Sequence, residues 1–181
     1  GCPVSCSGSY VGDSVYDFYG NRLESAILSQ QGFGTSGYLG DIRERGTPIS
    51  SGGTADGILP VLRGHIQMAR DISQGSTRRG SWAGYVPIDH GDFWEVSDFV
   101  KNNPDDCNLG WNVSAQFIDE LNKGGDQDYL DRYQRAMKTK VLTGKGYFFF
   151  PDKAKEYRPP MYKDLGLEVK GSNLCTEIML H

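Results

Sequence analysis

The 181-residue sequence lacks a hydrophobic run long enough to cross a membrane. No stretch approaches the roughly 18 consecutive apolar residues that a spanning helix needs, and the first residues lack the basic and apolar regions of a signal peptide. An excess of positive charge is also missing, because 19 lysines and arginines face 23 aspartates and glutamates, which gives a net charge of −4. These absences argue against membrane insertion and against broad binding of nucleic acids or anionic lipid surfaces.

Cysteine is scarce, and its four positions are Cys2, Cys6, Cys107 and Cys175. A chain of this length can bury a core without disulfides, so reduced thiols in a cytoplasmic protein are expected. Cys2 and Cys6 have no further metal ligands at short spacing, and the stretch "DHGD" (89–92) fits a turn and a helix cap. No metal site is therefore predicted.

Apolar periodicity predicts an α/β fold with a mainly parallel sheet, either open or closed into a barrel, because short apolar runs alternate with helical patterns. The predicted helices run from a cap at Asp13 or Ser14 to a stop at Gly32, from Thr54 to about Ser73, and over 91–100, 114–123 and 128–142. The first of these carries an apolar stripe formed by Val15, Phe18, Arg22, Leu23, Ala26 and Ile27. The predicted strands lie at 82–88, 108–114, 146–151 and 173–180.

Two glycine-rich stretches, 30–40 and 73–81, are predicted to be loops. The first fits the dinucleotide pattern G-x-G-x-x-G from Gly32 to Gly37, but that fingerprint needs a preceding strand and a following helix. A helical pattern precedes it instead, so its glycines are interpreted as a close approach of backbone to a phosphate. The second stretch fits a solvated basic turn, or a loop that reads a base or grips a phosphate through Gln74 and Arg78.

The stretch "GSNLCTEIML" (171–180) places an amide, a thiol and a carboxylate in strict alternation. In a strand, Asn173, Cys175 and Glu177 would share one face at spacings of roughly 6–7 Å. This pattern fits an edge strand with a solvated polar face, or a thiol flanked by a hydrogen-bonding amide and a general base. The opposite face would carry Leu174, Thr176 and Ile178.

Four stretches of the sequence carry a resemblance to a known family: "VSCSGSYVGDSV" (4–15), "IRERGTPI" (42–49), "SQGSTRRG" (73–80) and "SNLCTEI" (172–178). Together they resemble the large, catalytic subunit of class I ribonucleotide reductase, in the family's order and at about its spacing. The resemblance implies roughly the first half of a ten-stranded α/β barrel with a central finger loop that carries the radical cysteine. Residues 1–181 would then form a partial catalytic barrel domain, incomplete at both ends, as an internal fragment or one piece of a split protein that is inactive alone.

The resemblance implies reduction of ribonucleoside diphosphates to 2′-deoxyribonucleoside diphosphates by thiyl-radical chemistry. Cys175 would be the thiyl, Glu177 the base for the 3′-hydroxyl, Asn173 the amide that orients the ribose, and Cys6 one member of the reducing pair. Since Cys6 and Cys175 must face one ribose, their sulfurs are expected within about 10 Å of each other. The implied substrate-binding residues are Ser5, Cys6, Gly34, Asn173, Leu174, Cys175, Thr176 and Glu177.

Allosteric control is implied as well, with ATP or deoxynucleoside triphosphates as effectors. The implied effector-binding residues are Asp13, Ser14, Val15, Arg43 and Ser50. The implied specificity loop, which links effector to substrate, comprises Ser73, Gln74, Gly75, Ser76, Thr77 and Arg78. The implied partners are a ribonucleoside diphosphate, a radical-generating and metal-containing small subunit, a second large subunit, and thioredoxin or glutaredoxin, while this chain itself would bind no metal or cofactor.

Parts of the family's machinery have no counterpart in these 181 residues. The second cysteine of the reducing pair and the tyrosines that relay the radical lie downstream of the finger loop in the family, and Cys2 and Cys107 do not match that second cysteine. Two other interpretations stay open: a piece of a cobalamin-dependent, class II reductase, and a catalytically dead nucleotide-binding fragment. The string "SNLCTEI" favours the class that takes its radical from a small subunit.

Overall fold

A computed structural model describes residues 5–74, 78–106, 108–176 and 179–180 of the chain. Strands and helices alternate along most of it. The strands are β1 (Cys6–Tyr10), β2 (Gly34–Tyr38), β3 (Ser73–Gln74), β4 (Arg78–Arg79), β5 (Trp82–Pro87), β6 (Asn108–Asn112), β7 (Tyr147–Phe149), β8 (Gly171–Ser172) and β9 (Met179–Leu180). The helices are α1 (Val15–Gln30), α2 (Ile58–Asp71), α3 (Phe93–Asn102), α4 (Ala115–Lys123), α5 (Gln127–Thr143), α6 (Pro151–Glu156) and α7 (Pro160–Asp164).

Within the described ranges, five strands form one parallel sheet in the order β1-β2-β5-β6-β7. Each strand lies beside the strand that precedes it in this sheet, and helices supply the long crossovers that parallel pairing requires. This is the arrangement expected for half of a ten-stranded α/β barrel, so the predicted fold class is confirmed. Two small antiparallel ladders join β3 to β4 and β8 to β9.

The two faces of the sheet have different environments because side chains alternate along a strand. Trp82 and Val86 on β5, with Leu109 on β6, belong to the large core that packs under the helices. Tyr85 lies between them in sequence and packs in a separate cluster with Phe149. We call the face that carries Tyr85 the inner face of the sheet.

The helix α2 supplies the apolar side chains predicted for it. Leu59, Leu62, Ile66 and Ala69 are all buried in the large core. The helix begins at Ile58, four residues later than predicted, because Gly57 precedes it with a φ of 74°. No helix of the described ranges is long and apolar enough to span a bilayer.

The helix α1 forms where it was predicted, with Ser14 as its N-cap, but only Phe18 and Ala26 of its apolar stripe pack against the core. Val15 and Leu23 are 66% and 63% exposed, and Ile27 is also exposed. The buried positions of α1 are small or amide residues, Asn21, Ser25 and Ser29. Asn21 donates to the Ser9 hydroxyl (2.7 Å) and the Tyr10 carbonyl (3.3 Å), so hydrogen bonds to β1 replace apolar packing on this face.

The glycine-rich stretch 30–40 contains a strand, β2, where the sequence predicted a loop. Its small residues are required by packing, because a Cβ at Gly37 would lie 2.8 Å from a ring carbon of Trp82 on the neighbouring strand. The next helix in the described chain, α2, begins only at Ile58, so the rejection of a dinucleotide fingerprint agrees with the structure.

Candidate active site

The predicted strand over 173–180 is wrong for its first half, which is a turn. The strand β8 ends at Ser172, and residues 173–176, the finger turn, are closed by the Thr176 N–H donating to the Asn173 carbonyl at 3.1 Å. The alternation therefore does not place Asn173 and Cys175 on one face, since Asn173 is buried and Cys175 is exposed. The cause is topological, because the chain must reverse direction between the antiparallel strands β8 and β9.

Thr176 has a φ of 64°, the left-handed region that a β-branched side chain rarely adopts. Such a conformation costs on the order of 1–3 kcal/mol and persists where surrounding contacts hold it. The finger turn is therefore held by its environment and not by its own sequence preference.

The inner face of the sheet supplies that environment through three polar side chains on β2, β5 and β6. Each donates a hydrogen bond to a backbone carbonyl in or just before the finger turn, so the sheet fixes the backbone that presents Cys175. The three bonds run from Ser36 Oγ to Ser172 (2.7 Å), from the Tyr85 hydroxyl to Asn173 (3.0 Å) and from Asn112 Nδ2 to Lys170 (2.6 Å).

Cys6 and Cys175 meet at the amino-terminal edge of the sheet. Their Sγ atoms are 3.6 Å apart, so the predicted proximity is confirmed. Cys6 is buried and is the first residue of β1, where it pairs in register with Gly34, the first residue of β2. A Cβ at Gly34 would lie 2.7 Å from Leu174 Cδ2 and 3.4 Å from Cys6 Sγ, so a larger residue here would have to displace the Leu174 side chain of the finger turn.

The structure describes some, but not all, of the other residues implied for the substrate site and the specificity loop. Ser5 is exposed immediately before β1, and its carbonyl accepts a hydrogen bond from the Gly34 N–H at 2.9 Å. Ser73 and Gln74 pair with Arg78 and Arg79 as the ladder β3–β4, so the stretch predicted as a loop is a short hairpin at its base. Several predicted positions lie outside the described residues, namely Gly75, Ser76, Thr77, Glu177 and Ile178, together with Cys2 and Cys107.

A second candidate site is a cavity of about 430 Å³ where α1 begins, called the effector pocket here after the predicted effector residues that line it. Ligand pockets generally fall between about 300 and 1,000 Å³. Four of the five implied effector residues line it: Asp13, Ser14, Val15 and Arg43. Ser50 is exposed and is not among the described lining residues, although its neighbour Ile49 is.

The effector pocket is lined by two arginines, Arg22 and Arg43, and by two carboxylates, Asp13 and Asp56. Arg43 Nε donates to Asp13 Oδ2 at 2.5 Å. The N-terminus of α1 adds backbone N–H groups and the positive end of the helix dipole. Sequence reasoning missed Arg22 as a lining residue because it was assigned to the apolar stripe of α1.

Asp92 bonds to the backbone next to Gly57, one of the residues that line the effector pocket. Its buried carboxylate accepts hydrogen bonds from the backbone N–H groups of Arg45 and Ile58, both at 2.8 Å. The stretch 89–92 was predicted as a turn and helix cap, and Asp92 does hold the N-cap position of α3, but its side chain caps α2. A cap residue that serves a different helix leaves no signal in the local sequence.

The sequence analysis also did not identify the three residues whose side chains hydrogen-bond to the finger turn and the residues just before it. Ser36 lies in a stretch predicted as a loop, and Tyr85 and Asn112 lie in short apolar runs that were predicted only to be strands. The available signal was a polar atom in each of two otherwise apolar strands, because a buried hydroxyl or amide needs a hydrogen-bond partner.

Burial changes the acidity of two groups near these sites. It raises the pKa of the Tyr85 hydroxyl, which therefore stays a hydrogen-bond donor. It lowers the pKa of His65, on α2, to about 4, so this imidazole is neutral at physiological pH. No cluster of three or more histidine, cysteine or acidic residues within the described part of the chain could hold a metal ion.

Comparisons with known proteins agree with this geometry. A family model described as "Ribonucleotide reductase, barrel domain" matches residues 4–133. A Frog virus 3 protein named as a ribonucleoside-diphosphate reductase large subunit is 32% identical over 206 aligned positions, which cover 99% of this chain and 34% of that protein. The ribonucleoside-diphosphate reductase large subunit of Arabidopsis thaliana is 26% identical, and the alignment covers 92% of this chain and 26% of that protein.

A solved structure is similar over almost the whole chain. The Actinobacillus ureae class Id ribonucleotide reductase alpha subunit superposes with a TM-score of 0.88 and 38% identity, over 99% of this chain and 33% of that one. The chain thus spans between about a quarter and a third of the length of the relatives named here, and it belongs to the ribonucleotide reductase barrel-domain family.

Proposed function

We propose that this chain carries part of the catalytic centre of a ribonucleoside-diphosphate reductase, with residues 1–181 as a partial catalytic barrel domain. The observation that carries the proposal is the 3.6 Å contact between Cys6 and Cys175, formed by a strand end and a turn 169 positions apart. Replacing a ribose 2′-hydroxyl by hydrogen needs a thiyl on one side of the reaction and a reducing thiol on the other. The contact offers two thiols to a single sugar.

In the proposed reaction, the Cys175 thiyl abstracts the 3′-hydrogen and becomes a thiol. Glu177 takes the 3′-hydroxyl proton, Asn173 orients the hydroxyl groups, and the 2′-hydroxyl leaves as water. Cys6 and a second thiol, from a segment downstream of this chain's residues, supply two hydrogens and become a disulfide. The 3′-hydrogen then returns from Cys175, which regenerates the thiyl.

The substrate would sit at the amino-terminal edge of the sheet, where Ser5, Cys6 and Gly34 meet the finger turn. The strand ends carry no large side chain at Gly34, and the finger turn lies directly beside them, with Cys175 against the buried Cys6. Thioredoxin or glutaredoxin would reduce the resulting disulfide. No metal or cofactor is assigned to this chain, and the radical would come from a metal-containing small subunit.

For the effector pocket, we propose ATP or a deoxynucleoside triphosphate as ligand. Arg43, Arg22 and the N-terminus of α1 favour a phosphate chain, while Val15 and Ile49 offer apolar surface to a base or sugar. Ser50 and the specificity loop, Ser73 to Arg78, stay predictions for effector contacts and for communication with the substrate. Binding to an isolated monomer should be weak, because the exposed rim of the pocket is proposed to be completed by a second large subunit.

The exposed row on α1 supports that second subunit as a partner. Val15, Tyr19, Leu23 and Ile27 recur every four residues and form one apolar stripe on the helix. A row of this kind beside a ligand pocket fits a helix-to-helix contact between two copies. A cytoplasmic location is proposed because the reaction needs reduced Cys6 and Cys175 thiols.

Three cysteine variants test the proposed chemistry in the complete large subunit, assayed with its small subunit for reduction of a ribonucleoside diphosphate. Cys175→Ser should abolish 3′-hydrogen abstraction, because a serine O–H bond is far stronger than an S–H bond. Cys6→Ser should still form the substrate radical, but the sugar should decompose without being reduced. Cys107→Ser is the matched control and should keep turnover within a few-fold.

The outcomes separate the candidate functions. Substantial activity of Cys175→Ser, or a Cys107→Ser variant as inactive as Cys175→Ser, would contradict the mechanism. A requirement for cobalamin in place of the small subunit would favour a class II reductase. Nucleotide binding without turnover in the complete protein would favour a catalytically dead module.

A further inference from the structure

Tyr85 contacts both ends of the finger turn. Its hydroxyl donates to the Asn173 carbonyl at 3.0 Å and lies 3.3 Å from Thr176 Oγ1. Because the single phenolic proton serves the carbonyl, the second bond is donated by the Thr176 hydroxyl. One buried hydroxyl group therefore joins the first and last residues of the turn that presents Cys175.

The ring of Tyr85 is fixed by its neighbours and cannot follow the turn if the turn moves. Tyr85 is fully buried. A Cβ at Gly110 would lie 2.6 Å from two of its ring carbons, and Phe149 packs edge-on with ring centroids 5.6 Å apart. Gly171, at the start of β8, lies over the other part of the ring, where a Cβ would be 3.6 Å from Cγ. The position of the hydroxyl is thus set by β5 and β6.

The backbone conformation of Thr176 explains why the finger turn needs the hydrogen bonds from Tyr85. Its left-handed φ of 64° is unfavourable for a threonine, so the turn would open toward an ordinary conformation without an external hydrogen bond. Opening the turn moves Cys175, the neighbour of Thr176, away from the sheet edge where Cys6 is buried.

We propose that Tyr85 is a positioning residue whose hydroxyl holds the finger turn so that the Cys175 sulfur stays against the Cys6 sulfur. The inference deepens the proposed function and rests on it for the catalytic role of the two thiols. Tyr85 acts through the turn and not on the substrate. Its effect should therefore appear in the relation between the two sulfurs even when no substrate is present.

The test measures how easily the two thiols form a disulfide, using the complete large subunit in which every cysteine except Cys6 and Cys175 is serine. In the exchange, the two thiols form one disulfide while one molecule of glutathione disulfide is reduced to two of glutathione. The equilibrium constant gives the effective concentration of one thiol at the other. Tyr85→Phe keeps the ring and should lower this concentration at least tenfold.

The matched control is Tyr38→Phe. Tyr38 is the register partner of Tyr85 on β2, and its ring lies 5.6 Å from the Lys170 amine. This variant should stay within twofold of the parent protein. Thr176→Val should also lower the effective concentration, whereas Thr176→Ser, which keeps the hydroxyl, should restore it.

Effective concentrations within twofold of the parent for both Tyr85→Phe and Thr176→Val would overturn the inference. If Tyr85→Phe fails to fold, the Thr176→Val and Thr176→Ser pair decides the question alone. With the small subunit and all native cysteines present, Tyr85→Phe should lower kcat at least tenfold and leave KM within twofold. An inactive parent enzyme would count against the proposed function, but the thiol measurement would still decide whether Tyr85 holds the two sulfurs together.

Discussion

Gly34 and Leu174 meet where the second strand of the sheet begins and the finger turn reaches it. A Cβ on Gly34 would lie 2.7 Å from Leu174 Cδ2, inside any real contact between carbon atoms. The same hypothetical atom would lie 3.4 Å from Cys6 Sγ. The absence of a side chain at Gly34 thus lets the Leu174 side chain and the Cys6 thiol lie close to the start of the second strand.

Gly34→Ala should therefore displace the finger turn and lower ribonucleotide reduction by at least tenfold. It should also weaken disulfide formation between Cys6 and Cys175. Gly20→Ala, on the exposed side of α1, is the matched control because nothing lies within 4 Å of its added Cβ. That control should stabilise the helix by about 0.5–1 kcal/mol and keep activity. Equal activity in both variants would contradict the packing argument.

Asp92→Asn should loosen the backbone next to Gly57, which lines the effector pocket. The buried carboxylate accepts two backbone N–H groups, and an amide presents an N–H₂ group to one of them and lacks the charge that strengthens both bonds. We expect a loss of about 2 kcal/mol in unfolding free energy and weaker dTTP binding by titration calorimetry in the complete dimer. Asp119→Asn, on the exposed face of α4, should change neither quantity. A similar loss of stability and dTTP binding in that variant would contradict the role given to Asp92.

Acid should destabilise the protein through His65. Burial lowers its pKa to about 4, against about 6.5 in the unfolded chain. Between these values the unfolded state binds more protons than the native state, so stability is complete above pH 6.5 and falls as the pH drops toward 4, by about 3 kcal/mol in all.

Urea titrations at pH 6.5 and 5 measure this slope directly. His65→Gln removes the titrating group and should flatten the slope, even though the variant is less stable at pH 7. An unchanged slope would show that other groups carry the acid sensitivity.

Leu23→Glu and Ile27→Glu should weaken self-association of the complete large subunit. Each places a charge in the exposed apolar row of α1, and sedimentation equilibrium should show the dimer dissociation constant rising at least tenfold. Val141→Glu, at an exposed apolar position on α5, is the control and should leave the dimer intact. If all three variants dimerise like the parent protein, the α1 row is not the interface.

The sequence by itself determined the α/β class, the positions of most helices and the residues that give the chain its family. These features depend on local patterns, since helical periodicity and the strings around Cys6 and Cys175 need no knowledge of distant contacts. For α2 the periodicity also identified the buried face, because its apolar residues are the ones that fill the core.

Only the tertiary structure decided which polar residues are buried and where Cys175 points. The alternation around it resembled a strand, but the antiparallel pairing of β8 and β9 turns that stretch into a reversal with Thr176 in the left-handed region. The apolar stripe of α1 resembled a core face, yet only its edge at Phe18 and Ala26 packs against the core, beside the buried face from which Asn21 bonds to β1. In both cases contacts between segments far apart in sequence outweigh local preference, and a local pattern cannot encode them.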